Sequence, residues 1–238
     1  MKAQQNNAEL DSYGAVLVVG RNSRLWPLLR PSFEHQLKGR RLIVCSSRDI
    51  YDLSETLLGQ NIERAFVLSY APNIKDNQKL LKNLRLLTPK LVYVSTLSVN
   101  AALEGYPYKY PFVKYATERL CKAPGFFDKV RILRLGLVEG TYSESKVAGK
   151  WHHTGLDALA VAGVRAFGSA RFDFEVVTEV RFREFDSKTE DYAFRLYGRL
   201  LRIGPVMGTI LRPVDVALKL LGWNWYGYHQ LANRSLFK

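Results

Sequence analysis

The sequence predicts an α/β fold built on a doubly wound parallel sheet, with a small C-terminal substrate portion. Three observations carry this. Five short runs rich in apolar and β-branched residues stand at 15–19, 41–46, 64–70, 91–95 and 130–135, each of strand length. Helical segments separate them, so the order β-α-β-α-β-α-β-α-β extends to about Gly140, and such alternation implies parallel strands joined by crossovers. The first run, AVLVV, ends in Gly20, where a glycine lets the chain turn tightly towards the next helix.

Taken in order, residues 15–19 form the first strand. The second, RLIVCS, follows a short connection that contains Pro27 and Pro31, and Asp52 to Gly59 then reads as a short helix. The third strand is RAFVLSY at 64–70, and Leu80, Leu81, Leu84 and Leu87 after it recur at helical spacing as a core-facing stripe. The fourth, LVYV, closes on two hydroxyls, Ser95 and Thr96. Fourteen residues beyond Thr96 comes Tyr110, with Lys114 four residues later. On a helix that spacing puts both side chains on one face, one turn apart. An ammonium beside a phenol favours the phenolate, so Tyr110 can exchange a proton near neutral pH. The fifth strand is 130–135, the apolar stretch from Leu156 to Phe167 reads as helix, and 171–185 alternates as one late strand would.

Composition narrows the function classes. The 238 residues are 47% apolar, which suits a packed core. Met1 to Asn7 is polar, unlike a secretory leader, and no uncharged apolar run reaches bilayer-spanning length. The two cysteines, Cys45 and Cys121, have neither metal-ligand spacing nor a disulfide framework, so a reduced, cytoplasmic protein with no metal is expected. The net charge of +13 points to an anionic partner. No nucleic-acid motif accompanies it, which leaves an acidic substrate or an anionic membrane surface.

The strand ending Val94-Ser95-Thr96, the Tyr110-to-Lys114 motif (YPFVK) with Glu118 after it, and VRILRLGLV at 130–138 together resemble the short-chain dehydrogenase/reductase family, in particular its extended, nucleotide-sugar branch of epimerases and dehydratases. The resemblance implies a Rossmann-like sheet in which the third, second, first, fourth and fifth strands follow one another. It implies a dinucleotide-binding part over 1–140. Residues 141–238 then supply the remaining strands and a small cap, with no clear linker between the parts. It also implies hydride transfer between a nicotinamide cofactor and a sugar or nucleotide-sugar carbon, in a setting such as surface-polysaccharide synthesis. Tyr110, Lys114 and Thr96 carry the catalytic roles on this reading, and Ser95 and Ser98 face substrate. Cofactor contacts fall on Gly20, Arg21, Asn22, Ser23, Arg24 and Leu25 after the first strand. Ser47 and Arg48 follow the second, and Ser69, Tyr70 and Ala71 the third, joined by Tyr110 and Lys114 themselves. Asn73, which opens the helix after the third strand, helps hold the active-site strand and helix in the family.

Three departures from the family pattern matter. The family's glycine-rich turn reads here as Gly20, Ser23 and Trp26, so only the first glycine remains. Where NAD-specific relatives keep an acid, the chain has Ser46, Ser47 and Arg48, which suits the 2′-phosphate of NADP over NAD. The positions where dehydratases hold two acids after the threonine are Leu97 and Ser98, which excludes that elimination. The competing class is a non-catalytic Rossmann-fold binding protein that has lost its dinucleotide.

The tail differs in character. Residues 192–238 contain one acid, Asp215, among many cations, interleaved with Trp223, Trp225, Tyr226, Tyr228 and Phe237. Leu196, Leu200, Ile203, Val206 and Met207 form one apolar stripe, interrupted at Gly204-Pro205, and Val214, Leu218 and Leu221 another. Residues 195–238 therefore either pack on the fold, form a homodimer interface, or lie on an anionic membrane.

Overall fold

The computed structural model describes residues 14–53, 55–221, 223 and 227–237. Trp225 and Tyr226 of the expected aromatic tail, and the Met1 to Asn7 segment, lie outside the described residues, and nothing is described of the Phe237 side chain. The elements are β1 (Ala15–Val19), α1 (Trp26–Leu37), β2 (Leu42–Cys45), α2 (Ser47–Tyr51), α3 (Glu55–Leu58), β3 (Ile62–Val67), α4 (Ile74–Leu87), β4 (Lys90–Thr96), α5 (Val99–Leu103), α6 (Lys109–Lys122) and β5 (Lys129–Leu135). They continue as β6 (Leu137–Val138), β7 (Gly149–Thr154), α7 (Leu156–Val164), β8 (Phe172–Val177), β9 (Glu179–Arg183), α8 (Lys188–Arg202), α9 (Pro205–Ile210), α10 (Arg212–Leu220) and α11 (Gly227–Ala232).

All five expected strands form, and they lie in one parallel six-stranded sheet with β8 at its edge. The order is β2-β1-β3-β4-β5-β8, which corrects the expected third-second-first-fourth-fifth arrangement. The third strand sits between the first and the fourth. Burial explains the choice. β2 has only four residues, three of them half-exposed, and suits an edge; β3 has six, five of them buried, and needs a neighbour on each side. The late run at 171–185 also divides: β8 joins the large sheet, whereas β9 pairs antiparallel with β7 in a second sheet of order β6-β7-β9.

The chain forms two compact units, each discontinuous in sequence. The first comprises residues up to Val94, Ala116–Leu133 and Leu156–Glu175. Its sheet is covered on both faces, as period-two alternation dictates. Leu17, Val19, Ala65, Val67, Leu91, Tyr93, Val130 and Ile132 pack with Leu80, Leu81 and Leu84 of α4. On the opposite face Phe66 meets Phe33 of α1 with ring centroids 4.9 Å apart, and Trp26 lies edge-on to Phe33. Gly163 of α7 belongs to this contact, because a Cβ there would stand 2.7 Å from Phe66. Two buried arginines finish α7: Arg64 donates to the carbonyls of Val164 and Arg165, and Arg131 to those of Ala162, Arg165 and Ala166. They satisfy the open carbonyl end of the helix, so part of the positive charge is structural. Cys45 and Cys121 are both buried thiols, and burial pushes Cys45 up to about 12.

The second unit comprises Ser95–Tyr115, Arg134–Gly155 and the chain from Val176 onwards. Its core gathers Ala101, Tyr106 and Tyr108 with Phe194, Tyr197, Leu201, Leu211, Leu218 and Leu231. Inside it the Tyr108 hydroxyl donates to Asp215 at 2.8 Å, and the Gly227 N–H donates to the other carboxylate oxygen at 2.9 Å. Gly227 has to be glycine, since a Cβ would fall 1.7 Å from the Tyr108 hydroxyl.

Candidate active site

In the first unit a cleft of about 290 Å³ opens at the carboxyl ends of β1, β2 and β3, lined by Gly20, Asn22, Ser23, Ser46, Ser47, Leu68, Ser69 and Tyr70. With β2 on one side of β1 and β3 on the other, this is the point where the chain reverses its direction of winding, and open α/β sheets bind ligands there. Its walls are pinned by backbone. Gly20 and Arg21 both donate to the Cys45 carbonyl, while Leu68 and Ser69 both donate to that of Val19. Gly20 has φ +138°, and a Cβ would lie 2.8 Å from that of Leu68, so the one surviving glycine of the turn is sterically required.

The other two glycine positions are resolved differently. The Ser23 hydroxyl accepts the Trp26 N–H at 3.0 Å and closes the first turn of α1, a twelve-residue helix with no acid in that turn. Trp26 points into the core beside Phe33, and the close helix approach that a third glycine would allow falls instead to Gly163. In that turn Ser23 takes the Trp26 N–H, Leu25 takes the Leu29 N–H, and Pro27 has none. An anion there would meet the positive end of the helix dipole, unopposed by an acid, and few open donors.

Of the helix expected over Asp52 to Gly59, Glu55–Leu58 forms, and a separate helix precedes it from Ser47, where Ser46 and Asp49 form a capping box. Asp49 accepts from the Ser46 N–H at 2.7 Å and its hydroxyl at 2.9 Å, and these bonds hold the carboxyl below the usual range; Arg21 stands 3.6 Å away. Of the expected cofactor residues in this unit, Arg21, Arg24, Leu25, Arg48 and Ala71 do not line the cleft. Arg48 extends into solvent near Asp52. Ala71 supports the wall, since buried Asn77 donates to its carbonyl and accepts its N–H. Asn73 caps α4 through the Lys75 N–H, so Asn77 is the asparagine that anchors the turn after β3. A buried polar residue inside a leucine-rich helix is the sequence signal for it.

In the second unit a cavity of about 260 Å³ brings Thr96, Ser98 and Tyr110 together with Leu97, Gly136, Thr141, His152, Tyr228, His229 and Asn233. Thr96 ends β4, and the following Leu97 N–H donates to Leu135 at 2.8 Å. The Thr96 hydroxyl accepts the Ser98 N–H and donates to the Ser98 hydroxyl, both at 3.2 Å. Tyr110 opens α6, is 36% exposed, and sits with its ring 6.1 Å from that of Tyr228. Lys114, one turn on, is buried and outside the lining. Ser95 is also buried outside the lining, and its hydroxyl has no hydrogen-bond partner among the described residues.

The remaining wall was not foreseen from the sequence. Asn233 accepts the His152 N–H at 2.9 Å and donates to the His229 carbonyl. Gly136 passes so near β7 that a Cβ would lie 2.1 Å from the His152 carbonyl oxygen. Burial lowers both histidines, His229 to about 4, so both imidazoles are neutral at pH 7. The signal lay in the run YHQLAN at 228–233, whose polar residues stand within what read as a basic, aromatic tail. No carboxylate lines this cavity among the described residues.

No protein-family model matches the chain, and no curated protein sequence matches it. Solved structures do. A UDP-glucose 4-epimerase from Stenotrophomonas maltophila, with bound NAD and formylated UDP-arabinopyranose, is 16% identical with TM-score 0.55, covering 78% of this chain and 83% of that one. A UDP-N-acetylglucosamine 4-epimerase from Bacillus cereus is 12% identical with TM-score 0.50, covering 94% and 99%. A UDP-glucose 4-epimerase from Bifidobacterium longum, in complex with NAD+ and UDP, is 11% identical with TM-score 0.50, covering 78% and 83%. The chain has the fold of the extended short-chain dehydrogenase/reductases, in a divergent, epimerase-like form.

Proposed function

We propose that the protein is an NAD(P)-dependent oxidoreductase or epimerase acting on a sugar or nucleotide-sugar carbon. The observation that carries this is the convergence of Thr96, Ser98 and Tyr110 on one cavity, with Lys114 a helical turn beyond Tyr110. The nicotinamide, when bound, supplies or takes the hydride. Gly20, Asn22, Ser23, Ser47, Ser69 and Tyr70 are the residues that would hold the dinucleotide, and the acid-free first turn of α1 favours its phosphates. The Ser47 hydroxyl lines the cleft at the end of β2, with Arg21 beside Asp49 at 3.6 Å, and on these the reading takes NADP over NAD.

Tyr110 holds the proton exchanged with the substrate hydroxyl, and the Lys114 ammonium favours its phenolate by charge. Thr96 and Ser98 orient the substrate oxygen through their paired hydroxyls. Elimination of water needs acids beside the threonine, and Leu97 and Ser98 occupy those places in a cavity that no carboxylate lines among the described residues; the chemistry is reduction or epimerisation, not dehydration. Tyr110→Phe keeps the ring and removes the proton, so turnover of UDP-sugars with NAD(P)H should fall by about 10²–10⁴. Unchanged turnover in that variant would overturn the assignment.

One observation favours a second reading, a binding protein without dinucleotide: Ser23 and Trp26 replace the second and third glycines of the family turn. On that reading neither NADH nor NADPH binds.

A further inference from the structure

The second half of the tail exposes apolar side chains that the core does not use. Ile203, Val206 and Ile210 are 71%, 72% and 60% exposed, and Leu220, Leu221 and Trp223 are 83%, 67% and 42% exposed. Val206 and Ile210 lie four residues apart on α9 and share a face, and Ile203 stands just before them, across the break at Gly204. The segment carrying them is firmly seated by its other side. Leu201, Leu211 and Leu218 are buried in the core of the second unit, and the Tyr106 hydroxyl donates to the Leu201 carbonyl. Gly208 approaches Tyr106 so closely that a Cβ would lie 2.8 Å from its ring. Asp215 is held between Tyr108 and Gly227. The outward apolar face is thus a fixed surface.

The exposed charges of the segment carrying it are cations, while Leu221 and Trp223 also line a groove that holds Asp186 and Glu190 beside Arg183 and Lys146. Arg195, Arg199, Arg202, Arg212 and Lys219 are exposed on α8 and α10 or between them. The one acid in residues 192–238 is Asp215, which is buried. Upstream, Asp191 pairs with Arg195 at 2.7 Å and leaves the later cations to other partners. Apolar side chains flanked by cations, with a tryptophan among them, match the boundary between lipid headgroups and acyl chains. We propose that this face docks on an anionic lipid bilayer. Ile203, Val206, Ile210, Leu220, Leu221 and Trp223 enter the interface, and Arg199, Arg202, Arg212 and Lys219 meet lipid phosphates and carboxylates. A second copy of the chain fits less well, because a two-fold contact lays this patch on itself and opposes cations with cations.

The test is co-sedimentation with vesicles of phosphatidylcholine alone and of phosphatidylcholine mixed with phosphatidylserine. The protein should sediment with the mixed vesicles at low salt and be released as salt rises. Two surface variants, Ile203→Ser/Leu220→Ser/Leu221→Ser and Arg199→Glu/Arg202→Glu/Arg212→Glu, should each weaken partition by about tenfold or more. Circular dichroism and melting check their folding, and if the serine variant misfolds the charge variant decides alone. Absence of sedimentation at low salt, or partition untouched by the folded variants, overturns the proposal. So does a dimer in light scattering that the serine variant dissolves, which would make a second copy the occupant.

Discussion

The first unit keeps its candidate cleft on the ends of three strands that follow one another in the chain, whereas the second gathers its cavity from stretches far apart in sequence. Gly20, Ser46 and Ser69 each stand just past a strand end; Thr96, Gly136, His152 and Tyr228 come from four separate elements or links. The consequence is energetic as well as topological. The first site is shaped by backbone bonds that the sheet makes anyway, while the second depends on individual side chains such as Asn233 and on glycines that let strands pass within van der Waals limits. The two units should therefore respond differently to single substitutions.

The largest effect on stability is expected in the first unit at Arg131, 1% exposed and bonded to three carbonyls at the end of α7 and to Asp173. Arg131→Met removes every donor at once and should cost about 3–5 kcal/mol by denaturant unfolding; a loss near zero would show that water replaces the guanidinium. Gly163→Val comes next. Its side chain would overlap Phe66 and Phe33, for a cost of about 1–3 kcal/mol.

In the second unit, Tyr108→Phe leaves Asp215 buried without its phenol donor and should cost about 1–3 kcal/mol. A loss as large as that of Arg131→Met would erase the contrast between the units. An effect of similar size is a pH dependence. Because burial holds His229 near 4 in the folded chain, against about 6.5 when unfolded, protons favour the unfolded state between those values. The histidine's contribution is fully present above pH 6.5 and is lost as pH falls towards 4, on the order of 1–3 kcal/mol. His229→Gln should flatten that part of the stability–pH curve, and an unchanged curve would assign the slope to other groups.

The sequence made the strands legible because each is a short apolar run bounded by polar or turn residues. Strand order was less legible: β2 and β3 look alike as strings, and what separates them is burial on both faces. The helix over Ser47–Tyr51 was hidden because Ser46, Ser47 and Arg48 read as a cofactor motif, whereas Ser46 and Asp49 form a capping box. The run at 171–185 kept its alternation across Thr178 although the chain changes sheet there, since alternation records a pleat and not its partner. For the candidate site, Thr96 and Tyr110 were readable from local spacing. His152, His229 and Asn233 were not, because their convergence depends on how the tail folds back, and no local periodicity encodes it.

The central claim is that the cleft beside Gly20, Ser47 and Ser69 takes a nicotinamide dinucleotide despite Ser23 and Trp26. Calorimetric titration with NADPH and NADH, on the parent chain and on Ser69→Trp, tests it most directly. Saturable binding is expected, tighter for NADPH by about tenfold, and lost in Ser69→Trp at an unchanged melting temperature. No binding of either cofactor to the parent chain, or equal binding in the blocked variant, would contradict the account.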